Sequence, residues 1–392
     1  MKLYNTAEKK ISTLNFSDQV RMYLCGITPY DSAHMGHAFT FTMYDVLQRY
    51  LEYKNHTVTI VRNVTDVDEP IYKKAAELGI PYIVLAERET KKFQAVMQQL
   101  HISQPFAEPR ASEYIHQIAD AAKKLLDNGT AYRLENDDIY FDIKAFAQFG
   151  ELSHFSPKLQ HDFMRDRGGD PERPGKRNTL DFLLWKSVTD SDDPAQWHTV
   201  VGNGRPGWHI ECSVMSSSLL GPTIDIHGGG MDLIFPHHEA EHAQNETLGA
   251  ASLVQHWMHV APLLYHGEKM SKSLGNLVFA KTLFTEYEPA AIRLALLKYH
   301  YRIGGEWVDD LIKDTTNDIS EIRRALHSNH GIDASRHLEV FCAAIENDLD
   351  TPEAARIMRQ LVTGIIDSTE PESELGSKKV LQTMLGILGI VV

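Results

Sequence analysis

Two short motifs lie far apart in the sequence, and both carry side chains suited to phosphate chemistry. They are His34-Met35-Gly36-His37 and Lys269-Met270-Ser271-Lys272-Ser273. Each follows an apolar, strand-like run, and the first also opens a long amphipathic segment. We therefore expect His34 and His37 at a helix N-terminus, where free N–H groups and the helix dipole attract phosphate.

Together the two motifs predict attack of a carboxylate on the α-phosphate of ATP, with Mg²⁺. His34 and His37 would share one helix face and donate to the leaving pyrophosphate. Lys269 and Lys272 would close over the phosphates from a flexible loop at residues 269–276. Taken singly, the histidines are equally well explained as helix caps and the lysines as a solvated loop, but their joint occurrence at strand ends favours phosphate chemistry.

Four other residues form a potential metal site: Cys25 at the end of the first strand, Cys212, and His237 with Glu241 four residues later. Two thiolates, an imidazole and a carboxylate make a tetrahedral set for Zn²⁺. The alternative is that both cysteines are small buried apolar residues and that His237 and Glu241 only begin a helix. The metal would explain how a thiol substrate is chosen over a hydroxyl, because a soft thiolate binds Zn²⁺ better.

Further candidates surround these two sets. Trp208 is either a wall of the substrate pocket or a core aromatic residue. The glycine run 228–230 either allows a ligand close to the backbone or forms a plain turn, and Asp232 would bind an amine or a ribose hydroxyl. Asn63 and Thr65 either contact the adenylate or form a turn after a strand.

The elements that position these residues alternate between strand and helix. Residues 20–26 and 56–61 predict two parallel strands around a helix at 36–53, with further strands near 223–227 and 256–264 and a helix at 237–248. We expect an α/β, Rossmann-like parallel sheet, interrupted by an inserted subdomain of helices at about residues 69–204. The predicted catalytic domain spans residues 1–305, and a helical bundle follows at 306–392.

Composition restricts the function further. The chain has 392 residues, a net charge of −14 and three cysteines, which predicts a cytoplasmic protein without a disulfide framework and without a membrane span. Residues 306–392 carry 8 Lys and Arg residues against 16 Asp and Glu residues, a net charge of −8. Because a surface that grips RNA is normally basic, tRNA is a less favoured partner, and no anticodon-binding domain is expected.

Over about residues 1–360 these motifs resemble class I aminoacyl-tRNA synthetases, specifically the cysteinyl-tRNA synthetase family. The stretches that carry the resemblance are 207–213, 225–230, 235–239 and 268–276. The resemblance implies Zn²⁺ on Cys25, Cys212, His237 and Glu241, and adenylate formation by the two phosphate motifs. The residues expected around the nucleotide and cysteine are Cys25, Gly26, Ile27, Thr28, Thr40, Asn63, Val64, Thr65, Trp208, Gly230, Met231, Asp232, Lys269 and Lys272.

Within that family, residues 25–31, 63–70 and 166–171 are more similar to the cysteine ligases of mycothiol biosynthesis. That similarity implies a monomeric ligase that activates L-cysteine with ATP and transfers it to the amine of a small acceptor, glucosaminyl-inositol. The loop 167–177 would hold the acceptor or close the site. A shortened cysteinyl-tRNA synthetase is the alternative enzyme, and a cysteine or zinc sensor without catalysis is the alternative outside the enzymes.

Overall fold

The computed structural model describes residues 1–190, 193–249, 253–270, 275–372 and 376–392. The strands in these ranges are β1 (Lys2–Asn5), β2 (Lys10–Thr13), β3 (Gln19–Ile27), β4 (Thr57–Val64), β5 (Ala131–Arg133), β6 (Ile139–Phe141), β7 (Phe182–Ser187), β8 (Trp197–Thr199), β9 (Gly202–Pro206), β10 (Thr223–Ile224), β11 (Ile226–Gly230), β12 (Leu253–Val254), β13 (Trp257–Val260), β14 (Leu263–Tyr265), β15 (Glu268–Lys269) and β16 (Gly305–Glu306). The α-helices are α1 (Met35–Tyr53), α2 (Glu69–Leu78), α3 (Tyr82–Gln99), α4 (Ile115–Asp127), α5 (Pro157–Asp166), α6 (Trp208–Leu220), α7 (Glu239–Thr247), α8 (Ala280–Leu283), α9 (Pro289–Leu297), α10 (Asp309–His327), α11 (Ser335–Glu346), α12 (Thr351–Asp367) and α13 (Ser377–Leu388).

A four-stranded parallel sheet organises the chain, with strand order β13-β11-β3-β4. β3 and β4 are the apolar runs that flank the first amphipathic helix, and they pair in parallel register, as the sequence predicted. The chain leaves β3 towards β4 on one side, whereas β11 and β13 lie on the other side of β3. The crevice between β3 and β11 is therefore the switch point at which open α/β sheets bind ligands.

Helix α1 covers this sheet with a broad apolar face that includes Phe39, Met43 and Leu47, all fully buried. Its tyrosine Tyr44 reaches the glycine run: the hydroxyl accepts from the Gly229 N–H at 2.8 Å and donates to the Met258 carbonyl at 2.7 Å. A Cβ on Gly228 would lie 2.2 Å from that hydroxyl. The glycines here thus form part of strand β11 and let α1 pack closely, so they are not a plain turn.

The inserted region differs from the helical subdomain that the sequence predicted for residues 69–204. Helices α2 to α5 are present, but residues 131–206 also form a five-stranded antiparallel sheet of order β5-β6-β7-β9-β8. The prediction of helices alone was wrong because these strands are only three to six residues long. Such short runs give too little alternation for a periodicity to show.

Three predicted boundaries also move. The strand predicted at 256–264 is divided into β13 and β14 around Pro262, which has no N–H for a ladder. The strand predicted at 223–227 is divided into β10 and β11. The helix predicted from His237 is preceded by a kinked turn, Ile234–His238, in which Phe235 is extended, and it is α-helical from Glu239.

The C-terminal helices α10 to α13 follow the sequence prediction of a helical segment beyond residue 306, and their apolar faces share one buried cluster with α1 and α9. A buried ion pair crosses this junction. Arg293 of α9 donates to the Asp45 carboxylate of α1, to the Leu388 carbonyl at 2.7 Å and to the Leu100 carbonyl at 2.7 Å. Arg293 therefore connects α1, α9 and the ends of α3 and α13, while the division at residue 305 stays a prediction.

Burial by itself would raise the pKa of the Asp45 carboxyl, but Arg293 and Arg49 together hold that pKa below its ordinary value. The Ser103 N–H also donates to this carboxylate at 2.7 Å. Among the described helices, none is long and apolar enough to cross a membrane.

Candidate active site

A cavity of about 900 Å³ opens at the switch point between β3 and β11. Its lining comes from the carboxyl ends of these strands, the start of α1, the start of α6, the turn before α7 and the insertion. The residues singled out from the sequence that line it are Cys25, Gly26, Ile27, Thr28, His34, His37, Thr40, Asn63, Thr65, Trp208, Cys212, Gly230, Met231, Asp232, His237 and Lys269.

Three predicted site residues are not part of this lining. Glu241 is fully buried beneath it. Val64 lies in the last position of β4, where its N–H donates to the Pro109 carbonyl at 2.9 Å, so its backbone ties the insertion to the sheet. Lys272, with Ser271 and Ser273, lies outside the described residues.

The four predicted metal ligands come together. One ligand atom from each of Cys25, Cys212, His237 and Glu241 lies within 4.8 Å of the others, and all four residues are buried. The Cys25 Sγ is 3.5 Å from Glu241 Oε1, and that oxygen is 3.2 Å from His237 Nε2. Buried sulfur, nitrogen and carboxylate donors at this spacing fit a metal ion, and such a cation would compensate the cost of enclosing a carboxylate with two thiols.

Burial and the neighbouring Cys212 raise the pKa of the Cys25 thiol well above its usual range. Burial, with His209 next to it, lowers the pKa of His237 well below its usual value. His237 is thus neutral, which is the state in which an imidazole binds a metal. Its Nδ1 lies 2.9 Å from Nδ1 of His209, and the Trp208 ring stacks on it at 4.3 Å between ring centres.

A second donor set shares two of these residues and was missed from the sequence. Cys25, His227, His238 and Glu241 also place one ligand atom each within 4.8 Å of the others. His227 Nε2 lies 3.3 Å from Glu241 Oε2, and His238 Nδ1 lies 2.7 Å from Nε2 of His259. The adjacent histidines at 237–238 could have indicated a second ligand set. That both lie near the Glu241 carboxylate is apparent only from the fold.

The histidine motif has the predicted position and a capping role as well. His34 is the N-cap of α1, and its Nδ1 accepts from the Gly36 N–H at 3.1 Å. His37 Nδ1 accepts from the His34 N–H at 3.4 Å, and the two rings stack at 3.9 Å. The cap and the phosphate role are compatible, because capping uses Nδ1 of each ring while both residues line the cavity.

Lys269, at the start of the lysine motif, lines the same cavity. Lys269 Nζ lies 3.0 Å from Asp232 Oδ2. Partial desolvation would raise the pKa of Asp232, but Lys269 and Arg167 lower it below its usual value, so the carboxylate is ionised. Further along, the Val278 carbonyl accepts from the Met35 N–H at 2.9 Å. The chain after the loop is thereby fixed to the start of α1.

Close packing at the strand ends fixes two other predicted residues. The Gly26 N–H donates to Asn63 Oδ1 at 2.9 Å, and Asn63 Nδ2 donates to Thr65 Oγ1 at 3.1 Å. A Cβ on Gly26 would lie 1.7 Å from the Asn63 carbonyl oxygen. Only glycine allows the ends of β3 and β4 to approach in this way.

Glu211 of α6 is a further residue that sequence reasoning missed. It is fully buried, and neither carboxyl oxygen has a hydrogen-bond partner among the described residues. Burial, followed by the charges of Asp68 and Cys212, raises the pKa of Glu211 well above its usual range, so the site favours the protonated form of this carboxyl. Its signal was a carboxylate between Ile210 and Cys212 in an otherwise uncharged stretch.

Comparison with known proteins identifies the family to which this chain belongs. The family described as "tRNA synthetases class I (C) catalytic domain" matches residues 12–317. Relatives named L-cysteine:1D-myo-inositol 2-amino-2-deoxy-alpha-D-glucopyranoside ligase include one from Thermobispora bispora, 39% identical over 91% of this chain and 88% of its own length. Another, from Tsukamurella paurometabola, is 38% identical over 100% of this chain and 95% of its own length.

Solved structures agree on the fold. A Mycobacterium tuberculosis methionyl-tRNA synthetase in complex with methionyl-adenylate superposes with a TM-score of 0.67 at 15% identity, covering 94% of this chain and 89% of that one. An Agrobacterium radiobacter LeuRS complex gives 0.69 at 10% identity, covering 94% and 82%. At such low identity these structures establish the α/β synthetase fold alone. The chain belongs to the class I (C) tRNA synthetase catalytic-domain family and is a ligase, as its motifs predicted.

Proposed function

We propose that this enzyme activates L-cysteine with ATP and joins it to the amine of an aminosugar-inositol, releasing pyrophosphate and AMP. The observation that carries the proposal is the convergence of a buried sulfur, nitrogen and carboxylate cluster with both phosphate motifs on one cavity. The names of the relatives supply the acceptor, 1D-myo-inositol 2-amino-2-deoxy-alpha-D-glucopyranoside.

In the first step the cysteine carboxylate attacks the α-phosphorus of ATP, and the bond to the pyrophosphate oxygen breaks. His34 and His37 contribute hydrogen-bond donors, and Lys269 a positive charge, on the side where the leaving group lies. Lys272 is assigned the same role as Lys269 from the sequence. Mg²⁺ would accompany the nucleotide. Asp232 faces the cysteine ammonium, which it attracts as an ionised carboxylate.

We assign Zn²⁺ to Cys25, Cys212, His237 and Glu241. When bound, the ion would supply a soft Lewis acid that favours the cysteine thiolate over the serine hydroxyl. Trp208 packs on one face of the His237 ring, and His209 would fix the orientation of that ring through its Nδ1.

In the second step the neutral acceptor amine attacks the carbonyl carbon of the cysteinyl adenylate. A C–N bond forms, the bond to the AMP phosphate oxygen breaks, and the amine loses one proton. The acidic C-terminal segment supports a small acceptor over tRNA, because RNA binding depends on neutralising phosphates with basic side chains. A cytoplasmic location and a monomeric state remain predictions from the sequence.

The test compares acceptors with the purified protein. Cysteine, ATP and glucosaminyl-inositol should give AMP and an amide whose mass equals the sum of both substrates less one water. The same mixture with tRNA in place of the aminosugar should give no acylated RNA. Acylation of tRNA without amide formation would establish the alternative, a shortened cysteinyl-tRNA synthetase, and failure of cysteine-dependent exchange between pyrophosphate and ATP would leave only a sensor.

A further inference from the structure

One part of the cavity lining comes from the insertion, and none of its side chains was assigned above to direct contact with the nucleotide, cysteine or the metal. Phe155, Phe163 and Arg167 line it, and they lie on helix α5 and its two flanks. The two phenylalanine rings meet edge to face at 5.3 Å between centres.

Arg167 connects this part of the lining to the segment just before α7. Its Nη1 donates to the backbone carbonyls of Asp232 and Phe235, and its guanidinium carbon stacks on the Phe163 ring at 4.1 Å. Among the described residues, the Nε and Nη2 groups have no hydrogen-bond partner, and no carboxylate forms an ion pair with Arg167 within 4.0 Å. The side chain is only partly exposed. A planar cation held on one edge therefore presents its remaining donors to the cavity.

This chemistry fits a neutral polyol ring. Sugars and cyclitols place their C–H faces on aromatic rings while their hydroxyls accept from charged donors. An ammonium group, in contrast, is repelled by a guanidinium, and its neutral form is favoured nearby. The arrangement thus orients an acceptor with its polyol ring at Arg167 and its amine towards the reacting carbonyl.

We propose that Phe155, Phe163 and Arg167 form the subsite that binds the inositol ring of the acceptor. The inference rests on the proposed function, because it locates the polyol half of that same substrate. It assigns Arg167 as a binding and specificity residue, and it gives the insertion a role in the second step of the reaction only.

The test uses the full chain and two reactions. Exchange of labelled pyrophosphate into ATP with cysteine reports the first step and needs no acceptor, whereas amide formation reports both steps. For Arg167→Gln we expect the KM for glucosaminyl-inositol to rise about tenfold, as loss of a charged donor to a ligand does. This rise should exceed any rise in the KM for cysteine in the exchange reaction, which Arg167 affects through the nearby Asp232 carboxylate. Phe163→Leu, which leaves both carbonyl contacts of Arg167 in place, should raise the acceptor KM several-fold.

Free glucosamine provides a second readout, because it has the amine but lacks the inositol ring. Its KM should respond to neither variant, so the preference of the parent enzyme for the larger acceptor should collapse. Arg165→Gln is the matched control: Arg165 lies on α5 two residues before Arg167, is exposed and, among the described residues, pairs only with Asp162 and Asp166. It should leave both reactions unchanged.

An acceptor KM that stays at the parent value in both variants would overturn the inference. So would an equal loss with glucosamine, or a parallel fall of exchange, since either would mean that Arg167 merely holds the wall of the cavity. If the parent protein exchanges pyrophosphate but makes no amide from glucosaminyl-inositol, the proposed function itself fails, and this subsite fails with it.

Discussion

Replacing His34 separates its two roles, the helix cap and the proposed contact with phosphate. The cap depends on one hydrogen bond, from the Gly36 N–H to Nδ1 at 3.1 Å. In His34→Asn the amide oxygen can accept that bond, since asparagine is among the best N-cap residues, but nothing replaces Nε2 of the imidazole. His34→Ala removes both functions.

The expected magnitudes differ accordingly. His34→Ala should lose about 1 kcal/mol of the free energy of unfolding, the usual value of an N-cap, whereas His34→Asn should stay within about 0.5 kcal/mol of the parent. If the imidazole stabilises charge on the leaving pyrophosphate, both variants should lose about 100-fold or more in rate, as does removal of one donor in other active sites.

Urea denaturation followed by circular dichroism measures the stability, and cysteine-dependent exchange of labelled pyrophosphate into ATP measures the first step. The informative result is the Asn variant, which should be stable and inactive. If His34→Asn exchanges pyrophosphate within threefold of the parent, His34 is a cap and nothing more. The phosphate role would then fall to His37 and the lysine loop.

Three further predictions concern the fold and the metal. Arg293→Met should lower the free energy of unfolding by about 3 kcal/mol, because it removes the buried partner of the Asp45 carboxylate and leaves only the partly exposed Arg49 and the Ser103 N–H; a change below 1 kcal/mol in urea denaturation would contradict this. The pKa of Asp45 is lower in the folded than in the unfolded chain. The contribution of its carboxylate to the free energy of unfolding is therefore complete above about pH 4 and is lost as the pH falls through the pKa of the folded state. Asp45→Asn should be less stable than the parent at pH 7, and its unfolding by acid should take up fewer protons. Cys212→Ala should weaken zinc binding at least tenfold in competition with a chelator, while His238→Ala should retain most of the zinc affinity. If His238→Ala weakens zinc binding more than Cys212→Ala does, the ion belongs to the second donor set.

The central sheet was predictable because its signals are long. Strand β3 has nine residues and strand β4 eight, and α1 between them is a 19-residue helix with one apolar face. In runs of this length the periodicity of apolar residues is clear enough to distinguish strand from helix. The antiparallel sheet of the insertion has strands of three to six residues, and its pairing is decided by tertiary contacts between distant segments.

The site was predictable to the extent that its residues lie at strand ends or helix starts. Cys25, His34 and Asn63 follow this rule, and the fold brings them to one cavity. Glu211 also lies in the first turn of a helix, α6, but the burial of its carboxylate was not predictable, because it is decided by what packs around it. The role of Arg167 could not be predicted for the same reason. Which of its N–H groups have no partner among the described residues depends on two carbonyls that lie 65 and 68 residues further along the chain.

The choice between the two metal donor sets depends on the turn that precedes α7. Cys25 and Glu241 belong to both sets, whereas His237 and His238 are neighbours in sequence that belong to one set each. Neighbouring residues of a helix point about 100° apart, so the start of the helix decides which imidazole faces Cys212. The turn Ile234–His238 is kinked at this point and holds Phe235 in an extended conformation. The carbonyl of Phe235 accepts a hydrogen bond from Arg167. Arg167 of the acceptor subsite is thus hydrogen-bonded to the turn that selects the metal ligand, so a change at Arg167 should be checked for its effect on zinc content as well as on turnover.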